Sequence, residues 1–212
     1  MRIDITPKQV TVEKIEQHVA MVDNSAKPDA LHHLLMQKDV TRAIVFGRTK
    51  HGCEKIARKL RSAGVSAEAI HGNKSQNARN RALDAFKTGE AWVLVATDIA
   101  ARGIDIDGVS HVINYELPHE PESYVHRIGR TGRAGAQGCA WSFVDPSEQK
   151  RLKSIERFIK LPLKVTQLDV PADSASPPPR QLEVKSDSQR QTESNPTKQR
   201  RPRRRRARRA AA

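Results

Sequence analysis

The sequence has 212 residues, a formal charge of +14 and two cysteines, a length that holds one domain of ordinary size with some chain to spare. Cys53 and Cys139 lie far apart without CxxC spacing, which argues against a disulfide framework or a thiolate zinc site. No run of eighteen apolar residues and no apolar segment near the N-terminus is present, so no helical membrane span or secretory signal is written here, and a reduced, cytoplasmic protein is predicted.

Residues 1–16 are polar without a sustained period and read as a linker remnant, after which Gln17 to Asp23 has the apolar content of a first strand. Pro28 and Asp29 suit the opening of a helix whose Leu31, Leu34 and Leu35 share a face, with Lys38 near its end. Ala43 to Phe46 is a short apolar run of the kind buried on both faces of a parallel sheet. The following helix has Thr49 as its cap, an inward stripe of Ile56, Ala57 and Leu60, and Gly64 as its stop. The pattern repeats with Ala67 to Ile70 as strand, Ser75 as cap and a helix through Phe86 ended by Gly89. Further strands are predicted over Trp92 to Ala96, Val109 to Tyr115 and Cys139 to Val144. Pro121 opens a helix through Tyr124 and Ile128, and Ser147 to Lys160 forms a closing helix. Alternation at this spacing predicts an α/β fold with a parallel sheet covered by helices on both faces. Beyond about Val170 a proline triplet, polar residues and an arginine block offer too little apolar surface to offset ordering, so 169–212 is predicted to be a disordered basic tail. Lys198 to Arg209 alone carries nine of the fourteen excess positive charges, leaving five for everything else.

In open α/β sheets ligands bind beyond the carboxyl ends of the strands. After Phe46, Gly47 to Gly52 has the G-x-x-x-x-G spacing of a phosphate loop, but Cys53 and Glu54 stand where Lys and Ser or Thr are needed. No adjacent Asp-Glu pair exists for a Walker B site, so this stretch of sequence holds no nucleotide-hydrolysing centre of its own. After Ile70, Gln76 and Arg79 share one face in the first turn of a helix, where free N–H groups and an arginine suit a phosphate. After Ala96 comes Thr97-Asp98-Ile99-Ala100-Ala101-Arg102-Gly103-Ile104-Asp105. The strongest signal is His126-Arg127-Ile128-Gly129-Arg130-Thr131-Gly132-Arg133, with three arginines at every third residue and no acid from Val125 to Val144. Planar guanidinium forks at that spacing ask for an anion, phosphate above all.

Taken together these stretches resemble the C-terminal RecA-like domain of the DEAD-box ATP-dependent RNA helicases: motif IV over Ile44 to Thr49, motif IVa over Gln76 to Arg79, motif V over Thr97 to Asp105 and motif VI over His126 to Arg133. The wording around residues 47 to 52 is similar to the RhlE-like bacterial branch. The resemblance spans roughly residues 12–168 and places the domain at 17–168. It implies that Arg130 and Arg133 are catalytic contacts to the γ-phosphate of ATP, that Gly103 and Asp105 meet the ribose side of ATP, and that His126 faces the interface between two halves. Thr49, Gly72, Gln76, Arg79 and Thr97 would lie along the RNA backbone. ATP and Mg²⁺ would be held mainly by an N-terminal RecA-like domain that this sequence does not contain. The expected partners are RNA and that domain, with no metal site, no membrane and a monomeric chain. Two other classes stand beside this reading: a non-enzymatic RNA-binding module, and half of a DNA-directed superfamily 2 helicase.

Overall fold

The computed structural model describes residues 15–101, 106–133 and 137–168. Most of the predicted linker remnant, the basic tail, Gly103 and Asp105 lie outside the described residues. In chain order the elements are β1 (Ile15–Met21), α1 (Lys27–Leu35), β2 (Ala43–Phe46), α2 (Lys50–Ser62), β3 (Ala67–Ile70), α3 (Gln76–Thr88), β4 (Val93–Ala96), α4 (Asp98–Ala101), β5 (His111–Asn114), α5 (Pro121–Ile128), β6 (Gly138–Val144), a 3₁₀ turn (Pro146–Glu148), α6 (Gln149–Ile159) and β7 (Lys164–Val165).

The strands form one sheet in the order β3-β4-β2-β5-β6-β1-β7, every pairing parallel. Every residue of β2, β4 and β5 is buried, as continuous apolar strands in a two-sided parallel sheet must be. Successive side chains point to opposite faces, so β2 sends Ala43 and Val45 into a core with α1 and α2. Ile44 and Phe46 go to the other face, where Phe86 of α3 and Ala100 of α4 pack on them. Helices α5 and α6 cover the same face further along, over β1 and β6, through Tyr124, Ile128 and Ile155.

The caps act as the sequence indicates. The Thr49 hydroxyl accepts from Gly52 N–H at 3.0 Å and the Ser75 hydroxyl from Ala78 N–H at 3.3 Å, each satisfying an otherwise unpaired donor. Gly89 ends α3 at φ 84°, a left-handed conformation that side chains with a Cβ resist.

Several boundaries differ from expectation, each for a local reason. β1 starts at Ile15, two residues before Gln17, because buried Ile15 pairs with Gly138, and it stops at Met21. α1 ends at Leu35, short of Lys38. β4 begins at Val93. β5 keeps only the middle of the predicted Val109 to Tyr115: at its start the Ser110 hydroxyl accepts from the backbone N–H groups of Thr41 and Arg42, both at 3.1 Å, while the Ser110 N–H donates to the Arg42 carbonyl at 3.0 Å. β6 gains Gly138. The closing helix is split, since Asp145 accepts from Ser147 N–H at 2.7 Å and forms a capping box with Glu148 around Pro146, giving a 3₁₀ turn before α6. α4 and the two-residue β7 were not predicted.

Lys27, 1% exposed, ties the two layers together. Its ammonium sits 2.7 Å from Glu148 Oε2 and 3.6 Å from Asp145 Oδ2. The Ser147 hydrogen bonds, with Lys27 adding charge, hold the Asp145 carboxyl down at about 2.

Candidate functional site

With all strands parallel, their carboxyl ends lie along one edge of the sheet, and the order β3-β4-β2-β5 decides which loops become neighbours. Gly72 follows β3, Thr97 follows β4 and Thr49 follows β2, so three of the five residues assigned to RNA stand after three adjacent strands, about 4.8 Å apart from strand to strand. The other two, Gln76 and Arg79, open α3 directly after the β3 turn. Gln76 donates to Asn80 Oδ1 at 2.9 Å. Arg79 is half-buried, and its Nε is shielded from solvent without a hydrogen-bond partner.

Two contacts brace this row. Lys50 Nζ donates to Asn73 Oδ1 at 3.0 Å, joining the loops after β2 and β3. Glu54 of α2 meets His71 Nε2 at 3.1 Å and Lys74 Nζ at 3.5 Å. Partial burial raises the Glu54 carboxyl, but the His71 hydrogen bond and the charges of Lys74 and Arg61 outweigh it, and the net shift is downward.

The arginine stretch is organised differently from its appearance in sequence. The three arginines are not equivalent: Arg127 is 1% exposed, and its fork closes on Asp98, with Nε 2.6 Å from Oδ1 and Nη2 2.8 Å from Oδ2. Nη1 donates to Asn114 Oδ1 at 3.0 Å and to the Glu116 carbonyl at 2.7 Å, and the guanidinium lies 5.0 Å from the centre of the Phe46 ring. Asp98, to which sequence reasoning assigned no partner, is the acid that neutralises it, 29 residues away. The two share nothing in local sequence, but Tyr124, Arg127 and Ile128 fall on one helical face, and that spacing was the available signal that Arg127 points inward.

Arg130 and Arg133 follow the end of α5. Their Nε atoms donate to the carbonyls of His126 (3.2 Å) and Gly129 (3.1 Å), fixing the root of each guanidinium. Thr131 is buried, its hydroxyl bonded to the carbonyls of Val109 at 2.5 Å and Ser110 at 3.0 Å. Gly138 closes the same corner: a Cβ there would stand 2.5 Å from Gly132 N and 2.6 Å from Thr131 Oγ1, so only glycine lets β6 pass. These anchors precede β5, so the stretch runs down the helical face and not over the carboxyl edge where sequence reasoning looked. His126 is exposed and, with Ser123, Arg130, Arg127, Asp98 and Phe46, lines a small cleft.

Asp98 being committed to Arg127, the cleft presents positive charge from Arg130, and a phosphate fits that chemistry. Among the described residues no group of three or more His, Cys, Asp or Glu could hold a metal ion, and no helix is long and apolar enough to cross a membrane.

A family model described as "Helicase conserved C-terminal domain" matches residues 26–135. The chain is 48% identical over 169 residues to the DEAD-box ATP-dependent RNA helicase CshA of Bacillus cereus, covering 80% of this chain and 32% of that protein. Among solved structures it is similar to the E. coli DEAD-box protein SrmB bound to regulator of ribonuclease activity A, at 42% identity and a TM-score of 0.70 over 73% of this chain and 92% of that one. It is also similar to S. cerevisiae Dbp5 bound to RNA and ADP BeF3, at 36% identity and a TM-score of 0.67, covering 73% and 41%. The chain spans about a third of the length of the curated relatives it matches.

Proposed function

The chain belongs to the C-terminal helicase domain family of the DEAD-box RNA helicases, with its RecA-like parallel sheet, and from that membership we propose that it is the C-terminal half of an ATP-dependent RNA helicase. The observation that carries this is a pair of adjoining surfaces, one along the carboxyl edge of the sheet and the other down the helical face that starts beside it. Gly72, Thr97 and Thr49 follow neighbouring strands beside the start of α3, and the arginine stretch is rooted beside them through Arg127 and Asp98. The first surface offers backbone N–H groups and Arg79 to an RNA sugar-phosphate strand. The second carries Arg130 and Arg133 toward the γ-phosphate of ATP, with His126 at the contact between halves.

ATP and Mg²⁺ would be held mainly by an N-terminal RecA-like domain. Bound there, the nucleotide supplies the phosphoanhydride whose hydrolysis drives the cycle. Arg130 and Arg133 stabilise charge on the phosphoryl oxygens, and the Thr131 and Gly138 contacts hold the stretch that presents them. Gly103 and Asp105 are assigned to the ribose side of ATP. We place the domain at 17–168 and the basic tail at 169–212, in a cytoplasmic monomer of the RhlE-like bacterial branch, the last on the wording of residues 47 to 52.

The test is complementation. Residues 1–212 alone should show no RNA-stimulated ATPase, and turnover should appear when the chain is joined to the N-terminal RecA-like domain of a related DEAD-box helicase. Robust turnover by the purified chain alone, retained through a further chromatographic step, would overturn the reading.

The tail should supply most of the isolated chain's affinity for nucleic acid, because Lys198 to Arg209 concentrates nine cations in twelve residues with no acid among them. If all nine met phosphates on a single strand, log K would fall with log salt at a slope of about −6, at ~0.7 per contact, as an upper bound. Truncation after Val170 should flatten that slope and weaken all sequences alike. An unchanged slope in a salt titration by fluorescence anisotropy would mean that the folded body carries the charge contacts.

A further inference from the structure

Glu116 lies two residues past the end of β5 and touches both surfaces with different atoms. Its Oε2 accepts from the Arg48 backbone N–H at 2.8 Å, and its Oε1 lies 3.4 Å from the Arg48 guanidinium. These contacts hold the turn after β2 immediately before Thr49, the residue that caps α2 and stands in the row assigned to RNA. The Glu116 main-chain carbonyl accepts from Arg127 Nη1 at 2.7 Å, and Arg127 is the root of the arginine stretch. A second strand of contact runs alongside: the backbone N–H groups of Tyr115 and Glu116 donate to the Phe46 carbonyl at 3.1 and 3.4 Å, while the Phe46 ring lies under the Arg127 guanidinium. Glu116 thus joins the β2 turn to Arg127 by its own side chain and carbonyl, beside the contact that Phe46 makes with both.

Resting on the functional reading above, we propose that Glu116 is a positioning residue that couples engagement of the RNA strand at the β2 turn to placement of Arg130 and Arg133. The side chain reads the position of Arg48, and the carbonyl passes it to Arg127. Removing the carboxylate leaves the carbonyl and the whole Arg127 cluster in place, so coupling is separable from the fold.

The experiment uses the chain joined to its N-terminal half and measures ATPase rate with and without saturating RNA. Glu116→Ala should lower the ratio of RNA-saturated to RNA-free rate by at least about fivefold, the lower end of usual coupling between two sites. Glu116→Gln, which keeps the volume and an acceptor for the Arg48 N–H, should fall between parent and alanine, and Glu116→Asp should restore part of the ratio. Thermal midpoints guard against a purely structural role, which would lower the midpoint without moving the ratio in the glutamine variant. A parent-like ratio in both Glu116→Ala and Glu116→Gln, with Arg130→Lys still slow, would overturn the coupling while leaving the helicase reading standing. A parent rate for Arg130→Lys would instead remove the reading, and the coupling with it.

Discussion

Arg127→Ala should cost about 3 kcal/mol of folding stability, the low end of the range for breaking a buried ion pair from one side. The residue is 1% exposed and its guanidinium satisfies three other groups: the Asp98 carboxylate, the Asn114 amide oxygen and the Glu116 carbonyl. Deletion leaves Asn114, fully buried, with an unpaired acceptor, and strips the Phe46 ring of the cation above it. Asp98 limits the damage, because its side chain is 33% exposed and can recover water, which is why the low end is expected. Arg127→Lys keeps the charge but not the fork, and one ammonium cannot reach Asp98, Asn114 and Glu116 together. It should fall between parent and alanine. Urea unfolding of the chain, followed by circular dichroism, measures both. Midpoints of the two variants within error of the parent would mean that the Arg127 cluster contributes nothing to folding, and the division of labour among the three arginines would fail with it.

That division is where sequence and structure part most clearly. β2 is seen in the sequence to the residue because a short apolar run buried on both faces leaves no ambiguity of period, β3 because Ala67, Ala69 and Ile70 sit between Gly64 and Gly72, and α2 and α3 because Thr49 and Ser75 announce their starts. In the arginine stretch, spacing alone makes the three arginines look alike, whereas the structure buries Arg127 and leaves Arg130 half-buried. Spacing along a chain counts charges without saying which of them meet acids folded in from elsewhere. Asp98 comes from the end of β4 and Glu116 from the end of β5, and both reach Arg127 only through the strand order β4-β2-β5, which short parallel strands do not specify locally. The same limit hid β7, whose two exposed residues pair with β1 without any apolar pattern of their own. α4 is only four residues long and is formed from a segment whose Ala100 and Ala101 pack under α3's side of the sheet, a tertiary demand with no cap or period to reveal it.

Arg130→Lys and Arg133→Lys, made in the chain joined to its N-terminal half, should keep the fold and lower ATP turnover by at least about tenfold, equivalent to ~1.4 kcal/mol of transition-state stabilisation. Phosphoryl transfer depends on positioning and on charge placed where it develops, and an arginine supplied across a cleft is worth roughly 10³ to 10⁵ in better-studied nucleotide hydrolases. Lysine retains one positive charge but cannot hold two oxygens in a plane, nor keep the Nε bonds to the His126 and Gly129 carbonyls that aim the side chains. Affinity for RNA without nucleotide should change little, since Gly72, Thr97 and Thr49 belong to other strands. Arg79→Ala should do the reverse, raising the RNA concentration needed for half-maximal ATPase while leaving the RNA-saturated rate near the parent. Its side chain stands at the start of α3 with a buried Nε that no protein group satisfies, so its removal exposes no partner to a loss. ATPase rate against RNA concentration for each variant, with circular dichroism as the fold control, separates the two surfaces. If the lysine variants turned over ATP at the parent rate, Arg130 and Arg133 would belong to a solvated turn that follows α5, and only Arg127 would have a structural reason to be where it is.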